Sequence, residues 1–119
     1  MKYDPKDSEL QTLLDLDGTM FWPKPQYWVK FEARLVEPTT HIPHGIKYSL
    51  TLHDRNNTRI LGFDNAHAVK MKGRHRKKYV GRLVTWDHVH KYEKMTPYEF
   101  DSASHLLNDF WKAVDEIIL

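Results

Sequence analysis

Residues 46–64, IKYSLTLHDRNNTRILGFD, carry the signals of a complete β-hairpin. Apolar and polar side chains alternate over residues 46–53, which places the apolar set on one face of an extended strand. Residues 54–57 follow as the turn, because asparagine tolerates a positive φ, and residues 58–64 return as a second strand. We therefore expect an antiparallel sheet with one face on the core and the other largely in water.

Further strands extend this sheet on both sides of the hairpin. Residues 26–37 alternate in the same way and predict a strand before it. Residues 38–45 form a loop, since two prolines and a glycine interrupt the pattern. Residues 65–78 are polar and basic and predict a long functional loop. Strand character returns over residues 79–85 and again from residue 86 to residue 92, so the sheet should contain about five strands.

Two helices accompany the strands. A short helix is predicted over residues 8–16, with Asp7 as its cap and Gly18 at its end. A longer amphipathic helix should begin at an Asp101 N-cap and pack its apolar stripe across the sheet. That stripe consists of Leu106, Leu107, Phe110, Trp111, Val114, Ile117 and Ile118. The fold class is therefore α+β, a curved antiparallel sheet packed by a C-terminal helix, and residues 1–119 should form a single domain.

Composition excludes several classes of protein. The chain of 119 residues contains no cysteine, which removes disulfides and thiolate metal sites. No apolar run approaches the roughly 20 residues that a membrane span needs. Asp4, Asp7, Glu9 and Asp15 are atypical of a secretory or mitochondrial leader. We expect a cytoplasmic protein without a membrane partner.

Positive charge is concentrated in one part of the chain. Residues 66–94 hold nine basic residues against two acidic ones, a net charge of +7, whereas the whole chain carries +2. Such a segment favours an anionic partner such as RNA, although a solvated basic loop would have the same composition. The candidate nucleic-acid contacts are Lys70, Lys72, Arg74, Arg76, Lys77, Lys78 and Arg82.

Two histidine motifs surround this basic segment. Asp64-Asn65-Ala66-His67 leaves a predicted strand, and His88-Val89-His90 would project both of its histidines from one strand face. RNA cleavage needs a base for the 2′-hydroxyl and an acid for the leaving 5′-oxygen, and histidine can serve as either. In-line attack places the acid and the base on opposite sides of phosphorus, which favours His67 paired with His88 or His90. The candidate catalytic residues are Asp64, Asn65, His67, His88 and His90.

Two other interpretations of these histidines stay open. His88 and His90 could bind zinc, nickel or iron, with His67 or Asp64 as the third ligand. They could also be polar residues on the solvent-facing side of the sheet, without a role in catalysis or binding. Because a His-x-His pattern often occurs by chance, no metal or other cofactor is predicted.

The remaining histidines and two tryptophans receive structural interpretations. His41 and His44 lie in the proline-bounded loop and are expected at the surface. His53 is expected at an exposed strand position beside the turn. Trp22 and Trp28 could stack on nucleic-acid bases, but packing is the preferred interpretation.

Several segments of the sequence resemble the TumE toxin family. They are WVKF at 28–31, PHGIKYSLTLH at 43–53, GFDNAH at 62–67, the His-x-His at 88–90, PYEF at 97–100 and LLNDFW at 106–111. The resemblance covers about residues 28–118. It implies a small bacterial toxin that is encoded beside a helix-turn-helix antitoxin and acts on RNA or translation. Asp64, Asn65, His67, His88 and His90 carry over as motif positions of that family.

Three hypotheses about function follow. The first is a toxin of a toxin–antitoxin pair that acts on RNA or translation, with histidine-based RNA cleavage as its candidate chemistry. The second is a non-enzymatic protein that binds nucleic acid or an acidic protein through residues 70–82. The third is a small metal-dependent enzyme that uses the His-x-His pair. Acidic ends and a basic middle would also permit a homodimer.

Overall fold

Six antiparallel strands form one sheet in the computed structural model, which describes residues 9–65 and 86–119. The strands are β1 (Met20–Lys24), β2 (Tyr27–Leu35), β3 (Ile46–Asp54), β4 (Arg59–Asp64), β5 (His88–Lys91) and β6 (Lys94–Pro97). Each strand pairs with the next one along the chain, so their order across the sheet is their order in sequence. The predicted antiparallel sheet is confirmed.

The β3–β4 hairpin forms at the residues where it was predicted. The carboxylate of Asp54 accepts hydrogen bonds from the backbone N–H groups of Asn56 at 2.9 Å and Thr58 at 3.0 Å. Asn57 adopts a φ of 62°, in the left-handed region that asparagine enters more readily than most residues. The turn is thus stabilised by its own side chains, as the sequence indicated.

The two edge strands, β1 and β6, were not predicted. Both are only four or five residues long, every one of their residues is exposed, and each contains a proline. Proline is tolerated at an edge, where its missing N–H leaves no ladder bond unmade. Short proline-containing segments give no clear alternation, which is why the expected count of about five strands was low. The strand predicted over residues 79–85 lies outside the described residues.

Two helices of the described residues cover one face of the sheet. They are α1 (Leu10–Asp15) and α2 (Ala103–Ile118), and both were expected from the apolar period. The N-cap of α2 is Ser102 rather than Asp101, because the Ser102 hydroxyl accepts a hydrogen bond from the backbone N–H of His105 at 3.0 Å. The Asp7 cap predicted for α1 lies outside the described residues.

The core lies between these helices and the sheet. Leu13 of α1, Phe31 of β2, Leu50 of β3 and Phe110 of α2 are all fully buried. The ring of Phe110 meets that of Phe31 edge-on, with centroids 5.5 Å apart, which locks α2 onto the centre of the sheet. The alternation predicted for β2 and β3 therefore sorts the apolar side chains onto the helix side.

The other face of the sheet is polar, and no helix of the described residues covers it. This polar face carries Trp28, Lys30 and Glu32 of β2, Ser49, Thr51 and His53 of β3, Gly62 and Asp64 of β4, and His88 and His90 of β5. Within residues 9–65 and 86–119, neither helix combines the length and apolar character that a membrane span requires. The single domain over residues 1–119 stays a prediction.

Candidate functional site

Three of the motif residues converge on the polar face. Asp64 of β4 lies directly opposite His88 of β5, and His90 follows two residues later on the same face. His88 Nε2 is 2.9 Å from Asp64 Oδ1, and His90 Nε2 is 3.7 Å from Asp64 Oδ2. The two imidazole centroids are 4.6 Å apart. Antiparallel pairing thus brings Asp64 beside two histidines that follow it by 24 and 26 positions in sequence. We call these three residues the Asp64–His88–His90 cluster.

His88 is the fixed member of this cluster. Its side chain is only 3% exposed, and its Nδ1 donates a hydrogen bond to the backbone carbonyl of Trp86 at 2.6 Å. Burial alone would lower the pKa of His88, but the hydrogen bonds to Asp64 and to the Trp86 carbonyl outweigh it, so the pKa is raised. Because both ring nitrogens face acceptors, His88 is suited to orienting Asp64 and less suited to exchanging a proton with a ligand.

His90 is the more accessible member. Its side chain is 22% exposed, and 3.7 Å is too long for a hydrogen bond to Asp64. Burial, the positive charge of Arg59 and that of His88 lower the pKa of His90, against a smaller opposing effect of Asp64. The ring is therefore neutral at neutral pH and able to accept a proton, with a carboxylate beside it that would stabilise the resulting imidazolium.

Arg59 of β4 adds a cation that the sequence analysis missed. Strict alternation would place Arg59 and Asp64 on opposite faces, since they are five residues apart. The β3–β4 register shifts, however, because Leu52 pairs with Leu61 while His53 pairs with Arg59, which leaves one extra residue on β4. This irregularity turns Arg59 onto the polar face. Sequence periodicity contains no signal of such a shift.

Gly62 gives the Arg59 side chain its place beside the cluster. A Cβ on Gly62 would lie 3.4 Å from Arg59 Cδ and 3.7 Å from Arg59 Nε, so the arginine arm extends along the glycine. Gly62 is also the direct cross-strand partner of His90. The guanidinium charge therefore acts on His90, and its influence appears in the lowered pKa of that ring.

Asn65, another candidate from the sequence, holds backbone together. It is fully buried, its Oδ1 accepts a hydrogen bond from the N–H of Tyr48 at 3.0 Å, and its Nδ2 donates one to the carbonyl of Ile46 at 2.8 Å. The side chain thus continues the β3–β4 ladder beyond the last residue of β4. Its amide is committed to β3, and its contribution to the cluster is to position Asp64.

A second polar network lies on the opposite, helix-covered face. His44 Nε2 and the Tyr48 hydroxyl both donate hydrogen bonds to Asp87 Oδ2, at 2.9 Å and 2.7 Å, and Asp87 is only 1% exposed. His44 Nδ1 accepts the N–H of Ile46 at 3.1 Å, so both nitrogens of the ring are engaged. Burial and the adjacent Asp87 raise the pKa of Tyr48 far above its usual value. We call this the His44–Asp87–Tyr48 network.

The network corrects the expectation that His44 is a surface residue. Its ring stacks on Phe100, with centroids 3.9 Å apart, and its side chain is only 13% exposed. His41 is exposed, as expected, whereas His53 is half-buried and stacks on Trp28. The sequence did contain a signal for this network, since Asp87 precedes the His-x-His motif, but its partner is 43 residues away.

Comparison with known families identifies the chain. A family model described as Toxin TumE matches residues 28–118, which is most of the sequence. The chain belongs to the TumE toxin family. The match confirms the resemblance and indicates a toxin, which in general implies an antitoxin partner. No curated protein and no solved structure matches the chain.

The remaining site predictions for this TumE-family chain lie outside the described residues. They are His67 and all of the candidate nucleic-acid contacts, Lys70, Lys72, Arg74, Arg76, Lys77, Lys78 and Arg82. Within the described residues, Arg59 is the cation that lies beside the cluster.

The cluster of the TumE-family chain also has the composition of a metal site. One ligand atom from each of Asp64, His88 and His90 can be chosen so that all lie within 4.8 Å of one another. Two imidazoles and a carboxylate suit zinc, iron or nickel. The hydrogen bond from His88 Nδ1 to the Trp86 carbonyl is the kind of outer contact that commonly orients a metal-binding histidine.

Proposed function

We propose that this TumE-family toxin acts on RNA and cleaves a phosphodiester bond at the Asp64–His88–His90 cluster. The observation that carries the proposal is the convergence of an accessible imidazole, His90, with a carboxylate and the Arg59 guanidinium on one face of the sheet. A proton acceptor and a cation beside each other are what transfer of a phosphoryl group to an internal hydroxyl requires.

In the proposed reaction, His90 accepts the proton of a ribose 2′-hydroxyl. The 2′-oxygen attacks the adjacent phosphorus, the bond from phosphorus to the 5′-oxygen breaks, and that oxygen takes up a proton. His67 is the candidate donor of this proton on sequence grounds, with water as the other source. The products are a 2′,3′-cyclic phosphate and a 5′-hydroxyl end, and no external oxidant or cofactor is consumed.

The neighbours of His90 have distinct supporting roles in this proposal. Arg59 offsets the negative charge that develops on the phosphorane oxygens. Asp64 stabilises the imidazolium formed on His90, and its second oxygen is held by His88 at 2.9 Å. His88 and Asn65 act as positioning residues, because their polar atoms are bonded within the protein. We also propose that the antitoxin partner is of the helix-turn-helix type, which the family resemblance supports.

Inducible expression in a bacterial strain tests the proposal. Wild-type toxin should arrest growth, and RNA isolated from the arrested cells should carry new 5′-hydroxyl and 2′,3′-cyclic phosphate ends. His90→Ala and Arg59→Ala should each relieve the arrest and reduce those ends at least tenfold. His105→Ala is the matched control, because this histidine is half-exposed on α2, away from the polar face.

Folded protein must be present at equal levels for the comparison to hold, which circular dichroism of each purified variant establishes. A folded His90→Ala toxin that arrests growth as strongly as the wild type would refute the catalytic role. RNA ends that do not change during arrest would refute cleavage altogether.

A metal-dependent hydrolase is the second candidate function, supported by the spacing of the three ligand atoms in the cluster. Here Asp64, His88 and His90 would hold the ion, which would supply a Lewis acid. Elemental analysis of protein purified without an affinity tag should then find about one equivalent of metal, and Asp64→Ala should abolish it. A preparation without metal that cleaves RNA in the presence of a chelator refutes this candidate.

A further inference from the structure

We propose that Trp22, Trp28 and His53 form a stacking subsite for unpaired RNA bases, which guides a single strand toward Arg59 and His90. This subsite deepens the proposed function and rests on it, because it names single-stranded RNA as the substrate and assigns the aromatic residues that hold it.

The three rings form a continuous row on the polar face. Trp28 of β2 pairs directly with His53 of β3, and their rings stack with centroids 4.0 Å apart and planes 8° apart. Trp22 of β1 extends the row, with its ring centroid 6.4 Å from that of Trp28. The result is an aromatic surface that spans three adjacent strands.

Packing into the core does not account for this row. The exposed fraction of Trp22 is 59%, although tryptophan is usually well buried, and the apolar core of the protein lies on the opposite side of the sheet. Phe21, the preceding residue of β1, shows the contrast, because its ring contacts the buried Phe31 on the helix side at 5.8 Å. The two aromatic residues of β1 therefore lie on opposite faces of the sheet, Phe21 on the helix side and Trp22 on the polar face.

The row leads directly to the cluster. His53 pairs with Arg59, the Arg59 arm lies along Gly62, and Gly62 pairs with His90. From β2 to β5 the distance is three strand spacings, or about 14 Å. An RNA strand whose bases stack on the tryptophans would thus have its sugar–phosphate backbone beside Arg59 and its next phosphate group beside His90.

Charge and chemistry favour RNA as the occupant. Arg59 lies at the His53 end of the row. Lys30 lies two residues from Trp28 on the same strand and face, where Glu32 is its partner at 3.5 Å. Burial and the Arg59 charge lower the pKa of His53, which leaves a neutral ring suited to stacking. Aromatic side chains on a sheet, with cations nearby, are a common way to bind single-stranded RNA. Every unpaired base can stack its flat face on such a ring, whatever its sequence.

Binding of an RNA that cannot be cleaved tests the subsite separately from catalysis. The probe is a fluorescent, 2′-O-methylated single strand of about ten nucleotides, measured by anisotropy at fixed salt. Trp22→Ala should weaken its binding about 5- to 150-fold, the range for loss of one base stack, and Trp28→Ala should have a similar effect. Phe21→Ala is the matched control, because it alters the same strand on the opposite face and should change binding less than twofold.

His105→Ala should bind this probe as the wild type does, since this half-exposed residue lies on α2, on the other side of the sheet from the aromatic row. If His90→Ala relieves growth arrest while Trp22→Ala and Trp28→Ala bind the probe normally, the subsite is refuted and the cleavage proposal stands. Equal affinity for a duplex of the same sequence would refute stacking. If Trp22→Ala keeps full RNA affinity but loses the complex with the antitoxin, the row is a protein interface instead, which also overturns the proposal.

Discussion

Replacing Asp87 by alanine should destabilise the fold by an amount that its two partners allow us to work out. In the native protein, Asp87 Oδ2 accepts hydrogen bonds from His44 Nε2 at 2.9 Å and from the Tyr48 hydroxyl at 2.7 Å. Asp87 itself is only 1% exposed. Alanine leaves both donors without their acceptor. Each buried unsatisfied group costs about 1–3 kcal/mol.

The two donors together give a destabilisation of about 2–6 kcal/mol for Asp87→Ala, a range that contains the roughly 3–5 kcal/mol typical of removing one partner of a buried ion pair. Tyr48→Phe removes one donor and leaves the other bond in place, so it should cost less, about 1.5–3 kcal/mol. In the Asp87→Ala background the same change removes a hydroxyl that is already unpaired, and it should be close to neutral. The two substitutions should therefore be strongly non-additive.

Urea unfolding followed by circular dichroism measures these free energies, with a constant slope against urea as the check on two-state behaviour. Asp115→Ala is the matched control, because it removes an exposed carboxylate from α2 and should stay within about 0.5 kcal/mol of the wild type. A cost below about 1 kcal/mol for Asp87→Ala, or additive effects of the two substitutions, would refute the argument that the His44–Asp87–Tyr48 network anchors loop 38–45 to β5.

Three further predictions concern the cluster, a helix cap and the core. In an NMR pH titration, His90 should lose its proton at lower pH than His88, since the pKa is lowered for His90 and raised for His88; the reverse order would contradict the assigned hydrogen bonds. The contribution of His88 to stability is accordingly complete below the unfolded pKa of 6.5 and is lost as pH rises through the folded value. Ser102→Ala should cost about 1 kcal/mol in urea unfolding, whereas Ser102→Asp should keep the cap. Phe110→Ala should cost about 3–5 kcal/mol, because the ring is fully buried, and a smaller loss would mean that the core collapses around it.

Asp87 and His88 are adjacent in sequence but belong to different sites, Asp87 to the buried structural network and His88 to the proposed catalytic cluster. Because successive side chains of extended backbone point to opposite faces, Asp87 enters the buried network on the helix side while His88 joins the cluster on the polar side. Substitutions at Asp87 should therefore affect His88 and His90 indirectly, through the position of β5. Toxicity assays on variants of this segment need a stability measurement beside them.

Alternation in residues 46–64 was sufficient to predict the hairpin, because the period of a strand and the chemistry of its turn are local properties of the chain. The same holds for α2, whose apolar residues recur with the helical period. The motifs that contain Asp64, His88 and His90 were also visible in sequence, and the family match over residues 28–118 depends on sequence alone.

Pairing between distant strands decided the rest. β4 has one extra residue in its pairing with β3, and this irregularity turns Arg59 onto the polar face. The local sequence pattern does not predict such an irregularity. The burial of His44 depends on Asp87, 43 residues away, so a proline-bounded loop that looks exposed in sequence is anchored in the interior. Periodicity reports what one segment would do by itself, whereas the position of a side chain in a site depends on which segments meet and in what register.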